Sequence, residues 1–175
     1  MQKDAEAKLM NAHSVDDRSI NDRFMDDHSV GATEVDVMHF SFPAQLEQLE
    51  HVGERIRQFL SGVQNLSEPE VTNYNIELAL QEICVNIVKH AYANQGGQIG
   101  MTARLVEQPL RLILTLSDQG VGFDPDVVAE PELGELQEHG FGLFLVEQLM
   151  DEVEYQTTAE GNFWRLVKIL PLDLV

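Results

Sequence analysis

Thiols, cations and long apolar runs are all scarce in this chain. One cysteine, Cys84, stands alone among 175 residues, so no disulfide can form within the chain, which fits a reducing compartment. Lys and Arg number 11 against 30 Asp and Glu, a net charge of −19. Such a charge repels phosphate backbones and opposes unassisted binding to DNA, RNA or an anionic membrane. Partners are therefore expected to be proteins or small ligands, with a metal ion supplying positive charge wherever phosphate is bound. No apolar run reaches the roughly 18 residues of a membrane span, and the polar N-terminal stretch lacks the hydrophobic segment of a signal peptide. The expectation is a cytoplasmic protein.

What is present is an apolar share of 43%, enough at this length for one sizeable core and an appendage. Residues 1–34 are rich in Asp, Asn, Ser and His, with apolar positions scattered rather than periodic. Burial there cannot offset the entropy of ordering, so a disordered acidic tail is expected, followed by one folded domain over residues 35–175.

The stretch 75–93, NIELALQEICVNIVKHAYA, organises that domain. As a helix it places Ile76, Ala79, Leu80, Ile83, Ile87 and Ala91 on one apolar side, with Cys84 on the inward half as a packing residue. Glu82 and Asn86 lie one turn apart and Lys89 one turn further, a polar stripe at the margin of the core. That stripe suits either a solvated flank with Glu–Lys pairing or the lining of a pocket.

Around it, Val35, Val37 and His39 alternate in a strand that stops at Pro43, and Leu46, Leu49, Val52, Ile56, Phe59 and Leu60 recur at helical spacing. Ser67 to Pro69 forms a linker, and Gly96-Gly97 closes the central helix. Alternating Ile99, Met101, Ala103, Leu105 and then Leu110, Leu112, Leu114, Leu116 make one hairpin; 153–158 and 163–170 make another, turning at Gly161-Asn162. The resulting fold class is a two-layer α/β sandwich, α+β in type. Its sheet is expected to be mixed but mostly antiparallel, covered on one face by three helices.

Two glycine-rich stretches follow strand or loop. Asp118-Gln-Gly120-Val-Gly122 stands at the end of the strand 110–116. Its glycines let the backbone turn tightly and approach a ligand, and its carboxylate can accept a hydrogen bond from an exocyclic amine. A plain Asx-type turn accounts for it as well. His139-Gly140-Phe141-Gly142-Leu143 opens a helix, where free N–H groups at the positive end of the dipole favour phosphate. No βαβ pattern surrounds it, which argues against a dinucleotide fold. Between the two, residues 124–138 form an acidic loop long enough to serve as a lid.

Glu82-x-x-x-Asn86, Asp118-x-Gly120-x-Gly122 and Gly140-x-Gly142-Leu143, in this order and at these separations, resemble the GHKL ATP-binding superfamily. The stretches EICVNIVKHAY, DQGVGFDP and HGFGLFLVEQLMDEVEY resemble one branch, the anti-sigma factor serine/threonine-protein kinases of bacterial partner-switching systems. The resemblance implies ATP and Mg²⁺ as cofactors. It makes Asn86 the metal ligand, Glu82 the acid that polarises the attacking hydroxyl, and Asp118 the adenine reader beside a turn at Gly120 and Gly122. It gives the phosphates to the backbone of Gly140, Phe141, Gly142 and Leu143, with Lys89 and His139 as neighbouring cations. Some relatives carry a threonine in the last hairpin that helps hold the base, where this chain reads Gly161-Asn162-Phe163-Trp164.

The implied function is an anti-sigma regulatory factor that phosphorylates a small STAS-type anti-anti-sigma partner. The unphosphorylated partner competes with a sigma factor for the kinase, which is implied to be a homodimer. The alternative is a module that binds ATP and sequesters a partner without chemistry.

Overall fold

Alternation of side chains and one broad apolar helical stripe dictate the layers. The computed structural model describes residues 33–122 and 141–173. In chain order these form β1 (Glu34–Pro43), a 3₁₀ turn (Leu46–Gln48), α1 (Leu49–Leu60), α2 (Pro69–Asn86), a π-helical turn (Ile87–Ala91), β2 (Gln98–Val106), β3 (Arg111–Asp118), α3 (Phe141–Leu149), β4 (Glu152–Thr158) and β5 (Gly161–Ile169). Residues 1–32 of the expected tail and the expected loop 124–138 lie outside the described residues, while Glu34 at the tail's end already belongs to β1. Among the described residues, no helix is long and apolar enough to cross a membrane.

The five strands run in the order β1-β2-β3-β5-β4, and every pairing between neighbours is antiparallel. The expected, mostly antiparallel sheet is thus observed, and no parallel pair occurs among the described strands. The physical reason is local. β2–β3 and β4–β5 are tight hairpins, and β5 returns directly against β3, so no parallel crossover is needed.

Residues at every second position of the strands, such as Ile99, Leu112, Leu114, Leu116 and Leu166, face the helices and are fully buried. They meet Ile56 of α1, Ile76, Leu80 and Ile83 of α2, and Val146 of α3 in one core. α2 packs against both α1 and α3 and is therefore the central helix of its layer. A forked ion pair joins α1 to α2, with Arg57 Nε donating to Glu77 Oε1 at 2.8 Å and Nη2 to Oε2 at 2.7 Å. α2 begins at Pro69, whose missing N–H and fixed φ suit the first helical position. That is about two turns ahead of the apolar repeat that begins at Ile76, because Val71 and Tyr74 in the added turns face solvent.

Candidate functional site

The last residue of β3 and the second residue of β5 are register partners, which brings Asp118 and Asn162 side by side beneath the open end of the sheet. Both are almost fully buried, at 4% and 2% exposure. Asp118 Oδ1 accepts hydrogen bonds from the Gly120 N–H at 2.9 Å and from Asn162 Nδ2 at 2.8 Å. The first bond is the Asx-type turn that the sequence allowed. It consumes only one carboxylate oxygen, and among the described residues Oδ2 receives no hydrogen bond.

Gly120 is required by packing. A Cβ there would stand 2.7 Å from the Cβ of Ala91, and the next residue fastens the loop by donating its N–H to the Ala91 carbonyl at 2.8 Å. Ala91 closes the π-helical turn, in which the Tyr92 N–H reaches the Ile87 carbonyl at 3.0 Å, one residue beyond the α-helical partner. The Tyr92 hydroxyl donates to the Gln98 carbonyl at 2.8 Å and accepts from the Gln119 N–H at 3.0 Å, so one phenol ties the loop to the start of β2. The room for this ring comes from Gly97, where a Cβ would overlap it, while Gly96 turns the chain at φ +83°.

These elements enclose a pocket. Asn86, Ile87, His90 and Ala91 form one wall, and Asp118, Val121 and Gly122 form another. Its floor is Tyr155, Asn162 and Trp164, with the Tyr155 and Trp164 rings 4.5 Å apart. Gly122 lies close to β4 and β5, with its ideal Cβ 3.0 Å from Thr157 Oγ1 and 3.2 Å from Asn162 Oδ1.

Glu82 sits one turn before Asn86 and is half-buried. A Cβ on Gly142 would collide with Glu82 Oε2, so the acid packs directly on the first turn of α3. Phe141, Gly142 and Leu143 form that first turn. Phe141 and Phe144 are 68% and 54% exposed, and their rings stand 6.1 Å apart beside it. Neither Glu82 nor Asn86 has a side-chain hydrogen bond among the described residues. Lys89 is exposed and stands off the pocket wall, whereas the next residue, His90, lines it. His139 and Gly140 lie outside the described residues.

The structure thus brings together Glu82, Asn86, Asp118, Gly120, Gly122 and the Phe141–Leu143 turn. Tyr155, Thr157 and His90 join the site without having been singled out from the sequence, and so does Asn162, noted there only as part of the last hairpin where some relatives hold the base. Only strand register and the π turn place them there. Cys84, inside α2, is fully buried, and burial pushes its thiol up to about 12, as suits a packing residue.

A family model described as the histidine kinase-like ATPase domain matches residues 42–168. The serine-protein kinase RsbW of Halalkalibacterium halodurans is 37% identical over 109 residues, covering 58% of this chain and 65% of that protein. The serine-protein kinase RsbW of Bacillus velezensis is 36% identical over 141 residues, covering 73% of this chain and 82% of that protein. This chain therefore spans just under two thirds of the first of these relatives. Among solved structures, the RsbU and RsbW domains of a Mycobacterium tuberculosis protein align with a TM-score of 0.55 at 21% identity, over 81% of this chain and 34% of the other. At that identity the likeness speaks for the fold alone.

Proposed function

Because the chain belongs to the histidine kinase-like ATPase domain family, on the branch of the serine-protein kinases RsbW, we propose that it is an ATP-dependent protein-serine/threonine kinase. Its proposed substrate is a STAS-type anti-anti-sigma protein, and its proposed role that of an anti-sigma factor in the cytoplasm. The observation that carries this reading is the contact between the Glu82 carboxylate and Gly142, one turn from Asn86, which lines the same pocket as Asp118.

In this reading the adenine amino group donates to Asp118 Oδ2, and the N–H groups of Phe141, Gly142 and Leu143 at the start of α3 meet the phosphates. Glu82 accepts the proton of the incoming serine or threonine hydroxyl and orients its oxygen toward the γ-phosphorus. Positioning supplies much of the rate. The donor set fits Mg²⁺ carried by the triphosphate. Asn86 offers one uncommitted carboxamide oxygen, and the described residues contain no cluster of three His, Cys, Asp or Glu that would hold an ion unaided. When bound, Mg²⁺ would neutralise charge on the phosphate oxygens. His139 and Gly140 are the remaining proposed phosphate contacts, and exposed Lys89 is proposed to reach the phosphates from outside the pocket wall.

Phe141 and Phe144 give a partner an apolar foothold next to Glu82. Val37 and Ile169 lie exposed on the sheet face away from the helices, which supports a homodimer. A sigma factor is the proposed second partner. The deciding experiment is incubation of the protein with γ-labelled ATP and candidate STAS proteins, with label expected on a partner serine or threonine. Retained ATP binding with no transfer to any STAS protein would instead favour the sequestering module.

A further inference from the structure

We infer that Asn162 is a positioning residue that sets the purine preference of this site by holding Asp118 with a single oxygen open to the base. The inference rests on the nucleotide-binding reading above. An asparagine amide has two N–H donors, and here both are committed, one to Asp118 Oδ1 at 2.8 Å and one to the Gly120 carbonyl at 3.1 Å. Its oxygen faces two hydroxyls, that of Tyr155 at 3.2 Å and that of Thr157 at 3.1 Å, which stand 2.9 Å from each other. Turning the amide over would set its oxygen against two acceptors, so the network admits one orientation.

Two consequences follow from this donor count. Asn162 lines the pocket yet has no N–H left for a ligand, so it acts through Asp118. Asp118 Oδ1, already accepting from Gly120 and Asn162, is pinned, and the carboxylate cannot swing about its terminal torsion. Oδ2 then presents a fixed acceptor to the base. A 6-amino group donates to it, while a 6-oxo group sets lone pairs against it. A released carboxylate could rotate to accept the N1–H of a 6-oxopurine, and the discrimination would fade.

The test compares binding of Mg·ATP and Mg·ITP, which differ at the 6-position and its tautomer, to wild type, Asn162→Ala and Tyr155→Phe, with thermal melting of each. Wild type is expected to prefer ATP. In Asn162→Ala that preference should fall about tenfold, chiefly through weaker ATP binding. Tyr155→Phe keeps the ring on Trp164 and removes one hydroxyl from Asn162, and should lower the same ratio about threefold. A merely structural Asn162 would weaken both nucleotides equally, leaving the ratio unchanged, and that result overturns the inference while the kinase reading stands. If Asn162→Ala does not fold, an unchanged ratio in Tyr155→Phe overturns it in the same way. A wild-type protein that takes up neither nucleotide overturns the functional reading and this inference with it.

Discussion

The two ends of the pocket are built on opposite terms. At the end proposed to take the base, buried Asp118 and Asn162 are bonded to each other and to Gly120, and the loop is fastened to Ala91 and Tyr92. At the end proposed to take the phosphates, Glu82 and Asn86 have no side-chain hydrogen bond among the described residues, and Glu82 packs against the first turn of α3. A preorganised network holds its geometry before a ligand arrives, whereas polar groups left open at the other end would, on the proposed function, draw their partners from the nucleotide and the incoming hydroxyl. On the proposed function, recognition and chemistry are therefore separable, and substitutions at the two ends should fail in different ways.

The largest expected effect is at the phosphate end. Glu82→Ala should bind ATP near wild-type strength and lose transfer by roughly 10²- to 10⁴-fold, read by single-turnover labelling of the partner. Normal transfer would dissolve the contrast by removing the chemical role from that end. Asn86→Ala should lose the Mg²⁺-dependent part of ATP affinity, roughly 10-fold or more by titration with and without the ion, while affinity in EDTA stays put. At the base end, Gly120→Ala should act through structure. Its new Cβ would sit 2.7 Å from that of Ala91, and overpacking of this kind costs about 1 to 3 kcal/mol, seen as a lowered melting temperature together with weaker ATP binding.

The smallest effect sharpens the comparison from the helix that both ends share. Cys84 lies between Glu82 and Asn86 in the chain but faces the core, and its thiol is raised from 9.0 to about 12 by burial. The folded state therefore keeps a proton that the unfolded chain gives up from about pH 9, so this group's contribution falls as pH rises through that window and is constant below it. Cys84→Ala should flatten that part of the stability curve measured by denaturant melts, and native Cys84 should resist thiol reagents at pH 8 whether or not nucleotide is present.

Much of this was legible in the sequence. Alternation along β2, β3 and β5, the stripe of Ile76, Ala79, Leu80 and Ile83, and the glycines before Leu143 are one-dimensional signals, and the matching elements follow from them. Strand register is not such a signal. Asn162 reads as a turn residue until β5 is paired to β3, when it arrives opposite Asp118. The π turn is equally silent, since IVKHA has no composition that marks a widened turn, yet the wall residue proves to be His90 while Lys89 faces out. The first turns of α2 escaped the apolar repeat because they are exposed on most sides, leaving Pro69 as their only marker.

The return of β5 directly onto β3 bears on how such a protein can diverge. None of the four strand pairings depends on the residues between Gly122 and Phe141. The register of the scaffold is thus written entirely in the paired strands, and sequence change outside them can accumulate without shifting one strand against another.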